Sequence, residues 1–229
     1  MAKYYAVKVG KQPGIYTSWE ACKNNVHGYP NAIYKSFPSL QDAEAYMRGE
    51  LLRNGPVISN TKNINLNNPP ENTLIAYVDG SCLEDYRYSY GAVLVYLNQN
   101  GEKEEVFRRE AYHDEMTYMR NVSGEITGSM KAIEFAKEKG LNNVIIYHDY
   151  QGIASWANGD WKTKNPHTEN YRCYCAENRV DGMNIEFRKV KGHSGDFYND
   201  VADTLAKLAL GLKPEKKYAV EYIAAHDRG

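Results

Sequence analysis

The sequence predicts an α/β (α+β) protein: a mixed sheet with helices packed on it, preceded by a small α+β module. Three observations carry this. Two apolar runs, LIAYVD ending at Asp79 and VIIYHD ending at Asp149, have the length and composition of buried strands. Around them the patterned segments run strand, strand, strand, helix, strand, helices, strand, helix, which calls for both parallel and antiparallel pairing. An aromatic- and lysine-dense stretch, residues 1–53, is set off from the rest by NGPVISNTKNINLNNPPEN, residues 54–72, which reads as an extended linker.

In residues 1–53, Tyr4 to Val9 alternates as a short strand. Thr17 or Ser18 is placed to cap a helix beginning near Trp19, with Glu20 in its first turn. Ala32 to Phe37 reads as a strand, and Ser39 caps a second helix through Met47, with Asp42 as the acidic partner of a capping-box variant. In residues 73–211 the first strand ends at Asp79. Tyr90–Leu97 and Glu105–Tyr112 follow as strands, joined as a hairpin by the turn-prone NQNG. A helix is predicted over Glu125–Lys139, with Ile126, Met130, Ile133 and Ala136 near helical spacing and Gly140 as its stop. The strand ending at Asp149 comes next, then short helices around Ile153–Trp156 and Glu169–Asn178, a strand over Asn184–Val190, and a last helix over Asn199–Leu210 stopped by Gly211. The tail, residues 212–229, reads as a strand, a short helix, a segment that docks on a partner or a disordered end, with no assigned role.

Length and composition narrow the function classes. A chain of 229 residues, 42% hydrophobic and 25% charged, buries a real core and has the make-up of a globular protein. No apolar run approaches the roughly 18 residues of a membrane span. The opening MAKYYAVKVGKQ lacks the apolar centre of a secretory signal, so a cytoplasmic protein without membrane partners is expected. Cys22, Cys82, Cys173 and Cys175 form no CxxC pairs, which predicts free thiols and no zinc site. Net charge is −1, but residues 1–53 carry seven Lys/Arg against four Asp/Glu, whereas residues 74–211 carry sixteen against twenty-one. A basic small domain thus leads an acidic large one, and clustered carboxylates holding cations would let an acidic domain approach phosphates.

Four carboxylates stand out. Asp79 and Asp149 end strand runs, Glu125 opens a helix and Asp203 lies in the last one. Ends of strands in α/β sheets are where sites form. Singly, each has an ordinary role: an aspartate at a turn, a first-turn glutamate favoured by the helix dipole, a solvated helix residue. Gathered at one sheet edge they would repel one another unless cations lay between them.

Their motifs are more specific. DGSC at Asp79, NVSGE ending in Glu125, HDYQ at Asp149, WKT at Trp161–Thr163, and VKGHSGDFYNDVAD with His193 and Asp203 resemble, in order and separation, the motifs of type I ribonuclease H. Independently, KYYAVKVGKQPGIYTSWEACKNNVHGYPNAIYKSF resembles the N-terminal hybrid-binding, or viroplasmin-like, domain of that family. The resemblance implies a ribonuclease H-like five-stranded mixed sheet with helices on both faces at residues 73–211, plus the small α+β hybrid-binding domain at 1–53. It also implies an endonuclease that hydrolyses the RNA strand of RNA–DNA hybrids to 5′-phosphate and 3′-hydroxyl ends. Two Mg²⁺ ions, with Mn²⁺ as substitute, would be held by Asp79 between them, Asp203 on the ion that activates water, and Glu125 with Asp149 on the ion at the leaving oxygen. His193, on a Gly-flanked loop, would assist proton transfer or product departure.

The same resemblance places Gly80, Ser81, Asn121 and Gln151 near sugars and bases of the substrate. It places Tyr5, Trp19, Tyr34 and Lys35 on the bound hybrid, Trp19 and Tyr34 against deoxyriboses and Lys35 at a phosphate. Tyr5 and Trp19 also suit the core of a tiny domain. Double-stranded RNA is a second expected ligand of the N-terminal domain, and a monomer is expected. Several positions depart from the family pattern. LEDYRYSYG replaces a glycine-rich loop after DGS, Val122 replaces a second asparagine, and Ser36 stands where a basic residue is common. Arg120 replaces a small hydroxyl residue and is suited to bind a phosphate directly. Between Trp156 and Trp161 only ANGD is present, where some members insert a basic helix and loop.

Overall fold

The computed structural model describes residues 3–30, 32–37, 40, 43–44, 47, 64–191 and 195–227, except for the side chains of Ile33 and Lys35. The chain divides into two compact units, residues 1–63 and 64–229.

In the first unit, strands β1 (Tyr4–Val9), β2 (Gly14–Tyr16) and β3 (Ile33–Phe37) form an antiparallel sheet in the order β2-β1-β3. Helix α1 (Trp19–Val26) begins where Ser18 Oγ accepts the Ala21 N–H at 3.2 Å, the N-cap expected from the sequence. Alternation along β1 separates two small cores. Ala6 packs with Phe37 and Ala43, whereas Val7 packs with Cys22 and Val26 of α1. Leu40, Ala43, Glu44 and Met47 are helical, while Ser39 and Asp42, expected to cap that helix, lie outside the described residues. Strand β2 was not expected, because three residues following Pro13 carry turn signals rather than a readable alternation.

The second unit is built on a five-stranded sheet in the order β6-β5-β4-β7-β8, with β4 at Thr73–Cys82, β5 at Tyr88–Leu97, β6 at Lys103–Tyr112, β7 at Asn143–His148 and β8 at Asn184–Lys189. Strands β4, β5 and β6 pair antiparallel, and β4, β7 and β8 pair parallel. Helices α2 (Asn121–Glu138), α3 (Gln151–Ala157) and α4 (Pro166–Val180) connect these strands, and α5 (Phe197–Ala209) and α6 (Lys217–His226) follow them. Period-two alternation makes two cores. Leu74, Ala76 and Val78 of β4 face Ile126, Ile133 and Ala136 of α2, whereas Ile75 and Tyr77 face Val201 and Leu205 of α5. All four cysteines are free, as expected.

Two expectations are corrected, and a third, left open between alternatives, is decided in favour of a helix. Glu125 does not open its helix: α2 begins a turn earlier, at Asn121, so Glu125 sits on the buried face of the second turn. Residues 64–72 belong to the second unit rather than to a linker, because Ile64 and Leu66 pack against its core. The tail folds into α6, whose Ala219 and Ile223 are buried at helical spacing in the core beneath α5.

Glycines set how closely the helices approach. A Cβ on Gly80 would lie 2.0 Å from Asn121 O, and one on Gly124 would lie 2.0 Å from Ser89 O, so α2 touches β4 and β5 backbone to backbone. A Cβ on Gly91 would lie 2.1 Å from Ala202 O and 2.5 Å from Ala206 N, so α5 is pressed onto β5 in the same way. Gly91→Ala must therefore push α5 off the sheet. We expect it to lower unfolding free energy by about 1–3 kcal/mol in urea denaturation, and an unchanged midpoint would show that α5 is not seated through this contact.

Candidate active site

The two aspartates meet because two parallel strands part. β4 pairs with β7 only as far as Tyr77↔Tyr147, after which β4 continues to Cys82 with β5 alone. Continuing that register sets Asp79 opposite Asp149, the first residue beyond β7, at the point of divergence. Asp79 therefore lies inside a ten-residue strand and not at its end. Glu125 arrives from α2 on one face and Asp203 from α5 on the other, each placed by the glycine contacts described above.

Glu125 is 1% exposed. Its Oε2 accepts the Tyr150 N–H at 3.3 Å, and its Oε1 is buried with no hydrogen-bond partner. Burial, and then repulsion from Asp149 and Asp79, push its carboxyl up to about 9. Asp79 Oδ1 accepts the Gly80 N–H at 2.7 Å. Its carboxyl is likewise held well above the usual carboxylate range, by desolvation first and then by Asp149 and Asp203, with Gly80 N–H and Lys207 opposing. Asp203 is 8% exposed and paired to Lys207 Nζ at 2.9 Å, one helical turn on, with Lys216 Nζ at 3.9 Å. The four acids expected from the sequence are thus close enough to perturb one another across three layers of structure.

The remaining expected residues fall as follows. Gly80 and Ser81 continue β4 beyond Asp79. Arg120 is exposed at the N-cap of α2 with φ 59°, and Asn121 is exposed beside it. Gln151 opens α3 and donates to Ser155 Oγ at 3.2 Å, along its own helix. His193 lies outside the described residues, as does the side chain of Lys35. In the first unit Trp19 bridges Tyr5 and Tyr34, with ring centroids 5.7 and 5.9 Å apart. Trp19 is 45% and Tyr34 44% exposed, so Trp19 is a surface residue, while Tyr5 packs beside the Val7–Cys22–Val26 core.

Sequence reasoning overlooked two cations and a histidine. Lys207 was legible as an i,i+4 partner of Asp203. Lys216 was not, since it belongs to the tail. His148, fully buried before Asp149, bonds through Nδ1 to Tyr150 O at 2.9 Å, and its Nε2 has no partner. Beyond Asp149, a cavity of about 470 Å³ is lined by Trp156, Trp161, Lys162 and Lys164 among others. Trp156 and Trp161 meet edge to face beside it, and Tyr150 packs against both rings, with centroids 5.8–6.5 Å apart.

The donor set is all oxygen, which suits a hard divalent cation. Mutual repulsion and an unpartnered buried carboxylate oxygen both call for positive charge. Among the described residues, no group of three or more His, Cys, Asp or Glu side chains stands ready to hold a metal ion, and Asp203 is turned onto Lys207.

A mixed five-stranded sheet that parts between two aspartates, with an acid delivered from each face, defines a nuclease of the ribonuclease H type. The chain belongs to that family: its residues 71–211 match the RNase H model, and residues 3–47 match that of the Ribonuclease H1 N-terminal domain. It is similar to Ribonuclease H1 of Homo sapiens, 25% identical with 89% of this chain and 88% of that protein covered. It is also similar to Ribonuclease H of Schizosaccharomyces pombe, 24% identical with 89% and 96% covered. The fold is shared with the N-terminal RNase H domain of a Mycobacterium tuberculosis protein, at TM-score 0.50 and 18% identity over 66% of this chain and 97% of that one.

The raised Glu125 carboxyl gives the metal-free protein a definite pH dependence. Its folded value of about 9 exceeds the ordinary 4.5, so between those values the folded state binds the extra proton and stability falls as pH rises. Thermal denaturation in EDTA is expected to show a melting temperature that declines from pH 5 to pH 8.5. Glu125→Gln should flatten the decline and be the more stable protein at pH 8.5. Parallel pH profiles for the two would mean that Glu125 is not a strained carboxylate.

Proposed function

We propose that this enzyme cleaves the RNA strand of RNA–DNA hybrids as a divalent-cation-dependent endonuclease, leaving 5′-phosphate and 3′-hydroxyl ends. The observation that carries this is the buried Glu125 carboxylate, raised by Asp149 and Asp79 and left with one oxygen unpartnered. Asp79, Glu125, Asp149 and Asp203 would hold two ions, Mg²⁺ or Mn²⁺. When bound, such ions supply a nucleophilic water near neutral pH and neutralise charge at phosphorus. The chain's part is to bind, orient and select. Asp79 and Asp149, fixed by adjoining strands, set the spacing of the site, and Glu125 is held by the Tyr150 N–H. Gly80, Ser81, Asn121 and Gln151 are assigned to the sugars and bases of the substrate, where the ribose 2′-hydroxyl separates RNA from DNA. Exposed Arg120 is suited to a phosphate at the start of α2, where the helix dipole adds to its charge. His193 is assigned proton transfer or product departure, on its motif alone. The aromatic cavity with Lys162 and Lys164 suits the partner strand, by stacking and charge.

In the first unit, Trp19 and Tyr34 present a rigid exposed aromatic surface, which suits packing on deoxyribose, with Tyr5 behind it and Lys35 assigned to a phosphate. This unit, at residues 1–53, is read as the holding domain, for hybrids and for double-stranded RNA, and residues 73–211 as the catalytic one. The described chain has no helix long and apolar enough to cross a membrane. The enzyme is read as a cytoplasmic monomer.

The test is a panel of end-labelled RNA–DNA hybrid, double-stranded RNA, single-stranded RNA and double-stranded DNA with Mg²⁺. Cleavage of RNA in the hybrid alone, abolished by EDTA and by Asp149→Asn, is expected. Tight hybrid binding without cleavage in Mg²⁺ or Mn²⁺ would make the chain a binding protein instead. Trp19→Ala should weaken hybrid affinity roughly tenfold, equivalent to about 1.4 kcal/mol, with little change in rate at saturation. Full affinity in that variant would remove the first unit's aromatic surface from binding.

A further inference from the structure

The segment after residue 211 lies beyond the match to the family model, yet it reaches the acidic site. Asp200 occupies the first turn of α5, is 1% exposed, and sits three residues before Asp203 on the same helix. Both of its carboxylate oxygens are taken by the tail: Lys216 Nζ pairs with Oδ1 and Tyr218 O–H donates to Oδ2. Lys216 lies between two acids, in contact with Asp200 and 3.9 Å from Asp203 Oδ2. Further contacts fasten the tail: Tyr222 O–H donates to Glu105 at 2.7 Å, and Asp227 pairs with Arg109 at 3.3 Å. Along α5, Thr204 Oγ1 donates to Asp200 O at 2.8 Å, tying the turn before Asp203 to the turn that carries it.

We infer that Lys216 and Tyr218 are positioning residues: they clamp Asp200, fix the first turns of α5, and thereby set how well Asp203 serves a divalent cation. This rests on the reading of Asp203 as a cation ligand. A buried carboxylate with both oxygens saturated by one segment admits little rotation of its helix, and partners that orient a ligand indirectly change metal affinity about 10- to 100-fold when removed. The ammonium of Lys216 is matched by Asp200, so the clamp holds α5 without placing an unbalanced cation beside Asp203.

The experiment is Mn²⁺ binding to the full chain without nucleic acid, followed by the electron paramagnetic resonance signal of free Mn²⁺. Wild type, Asp149→Asn, Tyr218→Phe and the double variant Asp200→Asn/Lys216→Met are compared. Tyr218→Phe and the double variant both keep net charge, so a change in affinity reports geometry. The double variant should bind Mn²⁺ about tenfold more weakly. Tyr218→Phe, which removes one hydroxyl from a half-exposed ring and leaves packing intact, should shift affinity in the same direction by less. With Mg²⁺ and hybrid, both should lower kcat and leave KM for the hybrid unchanged. Wild-type Mn²⁺ affinity in Tyr218→Phe and the double variant, even with a lowered melting temperature, would reduce the tail to a structural buttress and overturn the inference. If the double variant does not fold, Tyr218→Phe decides. Mn²⁺ binding that Asp149→Asn leaves untouched would instead overturn the reading of the acidic site, and the clamp's role with it.

Discussion

Contact between helix and sheet at the level of the backbone is the constraint on which the rest of the second unit depends. Gly80, Gly91 and Gly124 have no Cβ to hold the layers apart, so α2 and α5 lie directly on β4 and β5. Side chains projecting from those helices next to the contact have nowhere to go but along the sheet surface. Glu125 is one residue from Gly124, and Asp203 one residue from the Ala202 carbonyl that meets Gly91. The acids are delivered by packing geometry, with two apolar cores holding the helices down from either side.

That delivery works against electrostatics. Burial first, and then repulsion from the neighbouring acids, raises the proton affinity of Asp79 and Glu125. The fold tolerates this because the burial of apolar surface on both faces of the sheet is large against a few unfavourable charges. It also places cations where they relieve the cluster at one end. Lys207 pairs with Asp203 from within α5, while Lys216 from the tail is matched by Asp200 and comes within 3.9 Å of Asp203. At the other end Glu125 has only a backbone N–H, so the strain is uneven across the site.

Much of this was legible in the residues. β4, β5, β6 and β7 announce themselves by apolar runs and a turn signal, and Ser18 caps α1 as its residue type predicts. The ordered motifs located the four acids, although their spacing alone left each with an ordinary role. What stayed hidden has physical causes. The start of α2 carries no side-chain cap: Arg120 reaches the helix through a positive φ, which residue type does not foretell. The position of Asp79 within β4 depends on where β7 stops, a property of two strands together. α6 buries few residues, so its pattern is faint, yet Ala219 and Ile223 stand one turn apart. The close approach of Lys216 to Asp203 follows from the packing of α6 on α5 and has no signature in spacing. His193, Ser39 and the side chain of Lys35 fall outside the described residues.

Among the described residues, the sheet of the second unit ends on β6, a strand of ten residues with no strand paired on its outer side. A long open strand of this kind is a template on which another chain could add itself. Here its residues include Lys103, Glu104, Glu105, Arg108, Arg109 and Glu110, and α6 reaches across to Glu105 and Arg109. A second strand laid along this edge would have to answer charges of both signs in register, and slipping by one residue would set like against like. Two copies of β6 laid antiparallel about Val106 and Phe107 would set Lys103 against Glu110, Glu104 against Arg109 and Glu105 against Arg108, so the border of the sheet matches its own kind in that one register and penalises the registers beside it.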